Sequence, residues 1–251
     1  MLRLDTDDNF RTMTETSGPL AFEPAWSRYL AKEANGARSE KLAALDEFIV
    51  DIRCRSQSEQ IAFVEWFCRQ HLDGAAPSDI SLGNGQWMRL PLFREVFADI
   101  LEEGRSKRRP NYSRWMAQFH SLFGHRHGPY RHYEPNKQIL LAEALDRDPT
   151  DNRARAMLVF VLLDWLDYAC HELPHGLLGE PNDLQVMADR LQALFVGTLW
   201  EKRVRTGSSA LRRVASGDWS HDTLVDVEDM LMLRFMIDRS LFPHTKATPP
   251  R

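Results

Sequence analysis

The sequence predicts an all-α protein built of antiparallel helical hairpins. Three observations carry that expectation. Apolar residues recur at i, i+3 and i+4 along most of the chain, while the strict alternation of a half-buried strand is nearly absent. The apolar stretches are separated by capping residues, Pro and Gly at the spacing expected of helix starts and stops. Composition is that of a globular domain, with 43% hydrophobic and 27% charged residues in a chain of 251.

The elements follow in order. Residues 1–20 are polar and Thr-rich and read as a flexible N-terminal segment, ahead of a single helical domain over 21–251. Pro24 opens a short helix with Trp26 and Leu30 at i, i+4. From Ser39 a stripe of Leu42, Leu45, Phe48, Ile49 and Ile52 marks a second helix. Ser56 and Glu59 form a capping-box pattern, in which each side chain reaches the other residue's backbone N–H, and they open a helix carrying Ile61, Val64, Phe67 and Cys68. The turn-rich stretch 74–85 is a loop. Pro91 suits the first turn of a helix holding Leu92, Val96, Phe97, Ile100 and Leu101, since a missing N–H costs nothing there. A break is expected at 104–110, then a helix with Trp115, Met116, Phe119, Leu122 and Phe123. Residues 124–136, with two Gly, two Pro and three His, are irregular and offer a sub-boundary within the domain. Helical patterning resumes at Lys137 and continues to about residue 198. Arg203 to Gly217 is only weakly patterned. A last amphipathic helix runs from about Asp222 to Phe242.

Residues 137–149, KQILLAEALDRDP, resemble the second helix of a tetratricopeptide repeat, which ends in an Ala-Leu-x-x-Asp-Pro pattern; here these are Ala144, Leu145, Asp148 and Pro149. A small residue at Ala144 lets two helices approach, and Pro149 ends the helix. Residues 152–168 fall where the next repeat's first helix would lie, with Leu158 at its leucine position. Arg155 stands where the family often has an aromatic residue and Val159 where it has glycine, and no second copy of the pattern follows. The resemblance implies α-solenoid-like stacking of hairpins in the C-terminal half and, by analogy, protein binding.

His171-Glu172-Leu173-Pro174-His175 matches the H-E-x-x-H signature of zinc proteases. That chemistry needs both imidazoles on one face of an unbroken helix. Pro174 has no N–H to give the Cys170 carbonyl and displaces Leu173 from helical geometry, so the segment reads as a helix stop. An alternative metal-dependent hydrolase would gather His125 and His127 with His171 and His175, and use Glu172 or Glu134 as base.

Other classes are disfavoured. A formal charge of −4 gives no global attraction to nucleic acid or an anionic membrane. The runs Arg105–Arg109 and Arg203, Arg205, Arg212, Arg213 form a second alternative, nucleic-acid binding, and read instead as solvated surface. Gly83-Asn-Gly85 lacks the third glycine of a dinucleotide fingerprint, so no cofactor is expected. Ala156 to Leu166, interrupted by Asp164, is too short to span a membrane. Cys54, Cys68 and Cys170 lie within apolar helical patterns and are expected as buried free thiols of a cytoplasmic protein. The function expected is a non-enzymatic adaptor that binds a protein or peptide partner in a helical-hairpin groove. Arg153, Arg155, Asp164, Asp167 and Tyr168 would supply its polar contacts.

Overall fold

The structure, a computed structural model, describes residues 23–73, 88–123 and 136–233. Among these every regular element is helical. They are α1 (Glu23–Asn35), α2 (Arg38–Arg53), α3 (Gln57–His71), α4 (Leu90–Leu92, a π-helical Phe93–Phe97, then Ala98–Ser106), α5 (Tyr112–Gln118), α6 (His120–Phe123), α7 (Lys137–Arg147), α8 (Asn152–Cys170), α9 (Pro181–Leu194), α10 (Glu201–Ala215) and α11 (His221–Leu231). The chain divides into two compact units, Met1–Phe67 with Arg89–Ile100, and Cys68–Met88 with Leu101–Arg251. The expected N-terminal segment, and the expected sub-boundary at 124–136 except for Asn136, lie outside the described residues.

In the first unit α1 packs on α2, and α2 on the π-helical segment. The core is aromatic. Trp26 stands 5.2 Å from Phe48, 5.7 Å from Phe63 and 5.4 Å from Phe67, mostly edge to face, and Phe67 meets Phe97 at 4.9 Å. Such pairs add about 0.5–1.5 kcal/mol each beyond the apolar area they bury. Trp26 and Tyr29 form the buried face of α1, and Leu30, expected inward, is exposed. The Ser56–Glu59 box closes as read: Ser56 N–H donates to Glu59 Oε2 at 3.0 Å, and Glu59 N–H to Ser56 Oγ at 3.3 Å.

In the second unit most helices from α7 on pack on the next one. α5 lies on α7, α7 on α8, α8 on α9, α9 on α10 and α10 on α11, and α8 also touches α11. Asn136 caps α7 by accepting from Ile139 N–H at 2.9 Å. Asp151 caps α8 by accepting from Arg153 and Ala154 N–H at 3.0 and 2.9 Å. The Asp148-Pro149 turn therefore ends one helix and leads at once into the next, as the sequence pattern predicted.

Other expectations are corrected as well. The weakly patterned stretch from Arg203 is a full helix, α10, whose buried face is Val204, Gly207, Ser208, Ala210, Leu211 and Val214. Small residues hide it from a reading based on large apolar groups. They let α11 come close: a Cβ at Gly207 would fall 2.3 Å from Met230 Cβ. Cys54 ends α2 and is exposed, whereas Cys68 and Cys170 are buried free thiols.

α4 also runs on to Ser106, through the break expected at Gly104. Gly104 is required by packing, since Tyr112 lies flat against it and a Cβ there would sit 2.0 Å from Tyr112 Cδ1. Gly104→Ala should cost about 1–3 kcal/mol through overpacking. A urea midpoint lowered at unchanged m-value would show this, and an unchanged midpoint would refute the contact.

Candidate protein-binding surface

The five residues expected to line a groove on α8 do not form one surface. Between Arg153 and Tyr168 the helix rises about 22 Å at 1.5 Å per residue. Arg153 points into a buried network and donates through Nη1 to the Asp73 carbonyl oxygen. Arg155 is tied to the preceding turn, with Nη2 donating to Pro149 O at 2.6 Å. Asp164 is half-buried and interacts with Lys137 at the start of α7. Burial pulls the Lys137 ammonium below its ordinary pKa, and the Asp164 charge partly offsets this. His120 joins this group, held low by burial and by the Lys137 charge. Only Asp167 and Tyr168 are exposed, next to each other on the last turns of α8.

α8 ends at Cys170, and His171 to His175 are successive turns. Leu173 N–H donates to Cys170 O at 3.1 Å and His175 N–H to Glu172 O at 2.7 Å. The two histidines are exposed in this turn and share no helical face. His125, His127 and Glu134 lie outside the described residues, among which no cluster of three or more metal-ligating side chains occurs. The neighbouring Cys170 is pushed up to about 12 by burial, reinforced by the Asp167 charge, so it stays a thiol at neutral pH.

The second basic run resolves into ion pairs, and the first does so at Arg105 and Lys107. On α10, Arg203 pairs with Asp229, Arg205 with Glu201, Arg212 with Asp189 and Arg213 with Asp226. In the first run Arg105 makes a bidentate pair with Glu143, Nε–Oε2 2.9 Å and Nη2–Oε1 2.6 Å, and Lys107 pairs with Glu103. Ser113 joins the Arg105–Glu143 pair and also accepts from Arg147 Nη1 at 2.7 Å.

Among the described residues the deepest charge is Arg114, which the sequence did not single out. It is 5% exposed. Nε donates to Asp151 Oδ2 at 2.8 Å, Nη2 to Asn111 Oδ1 at 3.0 Å and Nη1 to Asp73 Oδ1. Asp73 also accepts from Trp115 Nε1 at 3.0 Å. Asn111 is three residues away, but the two carboxylates lie 37 and 41 residues away in sequence, so no local pattern could reveal them.

Several large apolar side chains are exposed. In the turn between α9 and α10, Leu199 is 100% and Val196 69% exposed; Val186 on α9 is 47% exposed. Hydrogen bonds fix that turn. Thr198 N–H donates to Phe195 O at 3.0 Å, Gly197 N–H to Glu201 Oε2 at 2.8 Å and Glu201 N–H to Thr198 O at 3.2 Å. Phe195 anchors it in the core, and Gly197 adopts φ +76°, a backbone that side-chain-bearing residues rarely take. Val196 and Leu199 are therefore held outward by an ordered backbone.

Comparison with protein-family models, with curated proteins and with solved structures gives no match. No helix among the described residues is long and apolar enough to cross a membrane.

Two measurements test the polar networks. Asp151→Ala removes the α8 cap and one carboxylate of a buried guanidinium, so it should cost about 3–5 kcal/mol. Arg155→Ala, which loses only turn contacts, should lie within about 0.5 kcal/mol of wild type. Equal midpoints for the two variants would contradict the network. Glu143 is held below the ordinary carboxylate range, first by its hydrogen bond from Arg105 and then by the Arg105 and Arg147 charges and Ser113. A depressed carboxylate contributes stability fully above its unfolded pKa of about 4.3 and loses it as pH falls through the folded value. Glu143→Gln should therefore be less stable than wild type at pH 7, and the gap should close as the solution is acidified; a gap constant with pH would sink this assignment.

Proposed function

We propose that the chain is a non-enzymatic protein-binding module that presents the apolar edge of a helical hairpin to its partner. The observation that carries this reading is the α9–α10 turn. A leucine exposed over its whole side chain, with an exposed valine three residues before it, sits on a backbone fixed by hydrogen bonds. An isolated exposed apolar residue is ordinary, but two on one short ordered turn form a preset knob for an apolar pocket. Because the turn is already ordered, binding would lose little conformational entropy. The tetratricopeptide resemblance of residues 137–170 supports the same class of function by analogy. Residence in the cytoplasm belongs to the proposal, and three free cysteines are in keeping with it.

The partner chemistry follows from the surroundings. Asp189, Glu201, Arg205 and Arg212 are already paired within the hairpin, so the partner should present an apolar pocket with a polar rim rather than a strongly charged face. Immobilised wild-type protein and a Leu199→Asp variant, exposed to the same native lysate, provide the test. Proteins retained by wild type should drop at least about tenfold on the variant, the loss expected when a central apolar anchor is removed. The variant should keep the wild-type melting temperature, because Leu199 packs against nothing. Identical retention by the two proteins would refute the reading.

A further inference from the structure

In the first unit an open groove of about 450 Å³ runs between α1 and α2. Its base is formed by Tyr29 and Phe48, stacked with centroids 5.9 Å apart and planes 16° from parallel. Alanines line both sides, Ala25 and Ala31 from α1, Ala43 and Ala44 from α2. Side chains this short leave room for another helix to approach within the usual 8–10 Å of interaxial distance.

The two walls carry opposite charge. α1 contributes Arg28 and Lys32, and α2 contributes Glu40, Glu47 and Asp51. Part of this charge is already matched within the chain, since Lys32 lies 3.9 Å from Glu40 and Asp51 pairs with Arg55. Arg28 and Glu47 remain, exposed on opposite walls, and neither has an ion-pair partner among the described residues. Val50, beside the acidic wall, is 62% exposed.

We propose that this groove is the interface of a homodimer, with α1 of each chain lying over α2 of the other. A two-fold axis that brings a basic wall onto the partner's acidic wall brings the acidic wall onto the partner's basic one. Arg28 then meets the second chain's Glu47 twice, once on each side of the axis. A hairpin with one basic and one acidic wall is complementary to itself, and a uniformly charged partner would be repelled by one wall. The four helices of two hairpins cover the aromatic floor and its alanine walls and complete a bundle. This inference rests on α1 and α2 alone and does not depend on the α9–α10 turn.

Sedimentation of the full chain from micromolar to submillimolar concentration tests it. Wild type should form dimers, weakened by added salt. Arg28→Glu and Glu47→Arg should each raise the dimer Kd at least about tenfold by placing like charges opposite one another. An equimolar mixture of the two variants should recover a heterodimer of wild-type affinity, as should the chain carrying both changes. Both residues are exposed, so unchanged circular dichroism and melting will exclude unfolding. A wild type monomeric throughout, or variants that dimerise as wild type does, or a mixture without recovery, would each overturn the proposal.

Discussion

The second unit depends on the burial of one guanidinium. Arg114 gives up its hydration, and the cost of removing a full charge from water is several kcal/mol even after relaxation. The structure offsets it with two carboxylates and an amide oxygen aimed at three different nitrogens. Each partner has a second task. Asp151 also opens α8 by accepting two backbone N–H groups. Asp73 also holds the Trp115 indole, and Asn111, at φ +68°, occupies the N-cap position of α5. The starts of α5 and α8 are thus fixed by one charge that has to be neutralised. An apolar replacement could pack as well, but would not specify where two helices begin.

The same logic runs through the arginines of α10 and limits what that face can attract. A basic run in the sequence is a statement about composition. Whether it becomes a field depends on where the fold sets the carboxylates. Here α10 carries four arginines on its exposed side, and each finds an aspartate or glutamate on α9, α10 or α11. Paired charges at short range project little potential beyond a Debye length of about 8 Å. A phosphate backbone approaching α10 would have to compete with partners already in place. Ion pairing of this kind leaves exposed apolar groups among the surface features without a partner in the fold.

Much of the fold was legible because its signals are local. Ser56 and Glu59 predict a helix start since both hydrogen bonds span three residues, and Pro91 does so because its own ring fixes φ. Pro174 foretold the end of α8 within a few residues, since a missing N–H acts on the carbonyl of one turn before. The all-helical class follows from the sum of such signals. What stayed hidden is non-local. α10 looked weak because Gly207, Ser208 and Ala210 make up half of its buried face, and the smallness of Gly207 is explained only by the closeness of Met230. The residues expected to form a groove on α8 share a helix but not a destination, since Arg153 turns inward and Tyr168 outward. Arg114 and its two carboxylate partners meet across 37 and 41 residues, beyond any periodicity. His125 and His127 fall outside the described residues, so the structure adds only that His171 and His175 lie exposed in a turn.

The two surfaces assigned a binding role share a physical property that sets them apart from the charged faces. The groove of α1 and α2 is walled by alanines, which lose no rotamer freedom when covered, and floored by aromatic rings already locked in the core. The α9–α10 turn displays its leucine from a backbone whose donors and acceptors are largely satisfied. In either place association would release water from apolar surface while ordering very little protein. Long arginine and glutamate side chains would each sacrifice up to about 2 kcal/mol of rotamer entropy on being fixed. Their intramolecular pairs have already met part of that cost during folding, in the service of the helices rather than of a partner. Charge in this protein therefore builds the scaffold, and under both proposals the favourable free energy of binding would come from the small apolar areas left open.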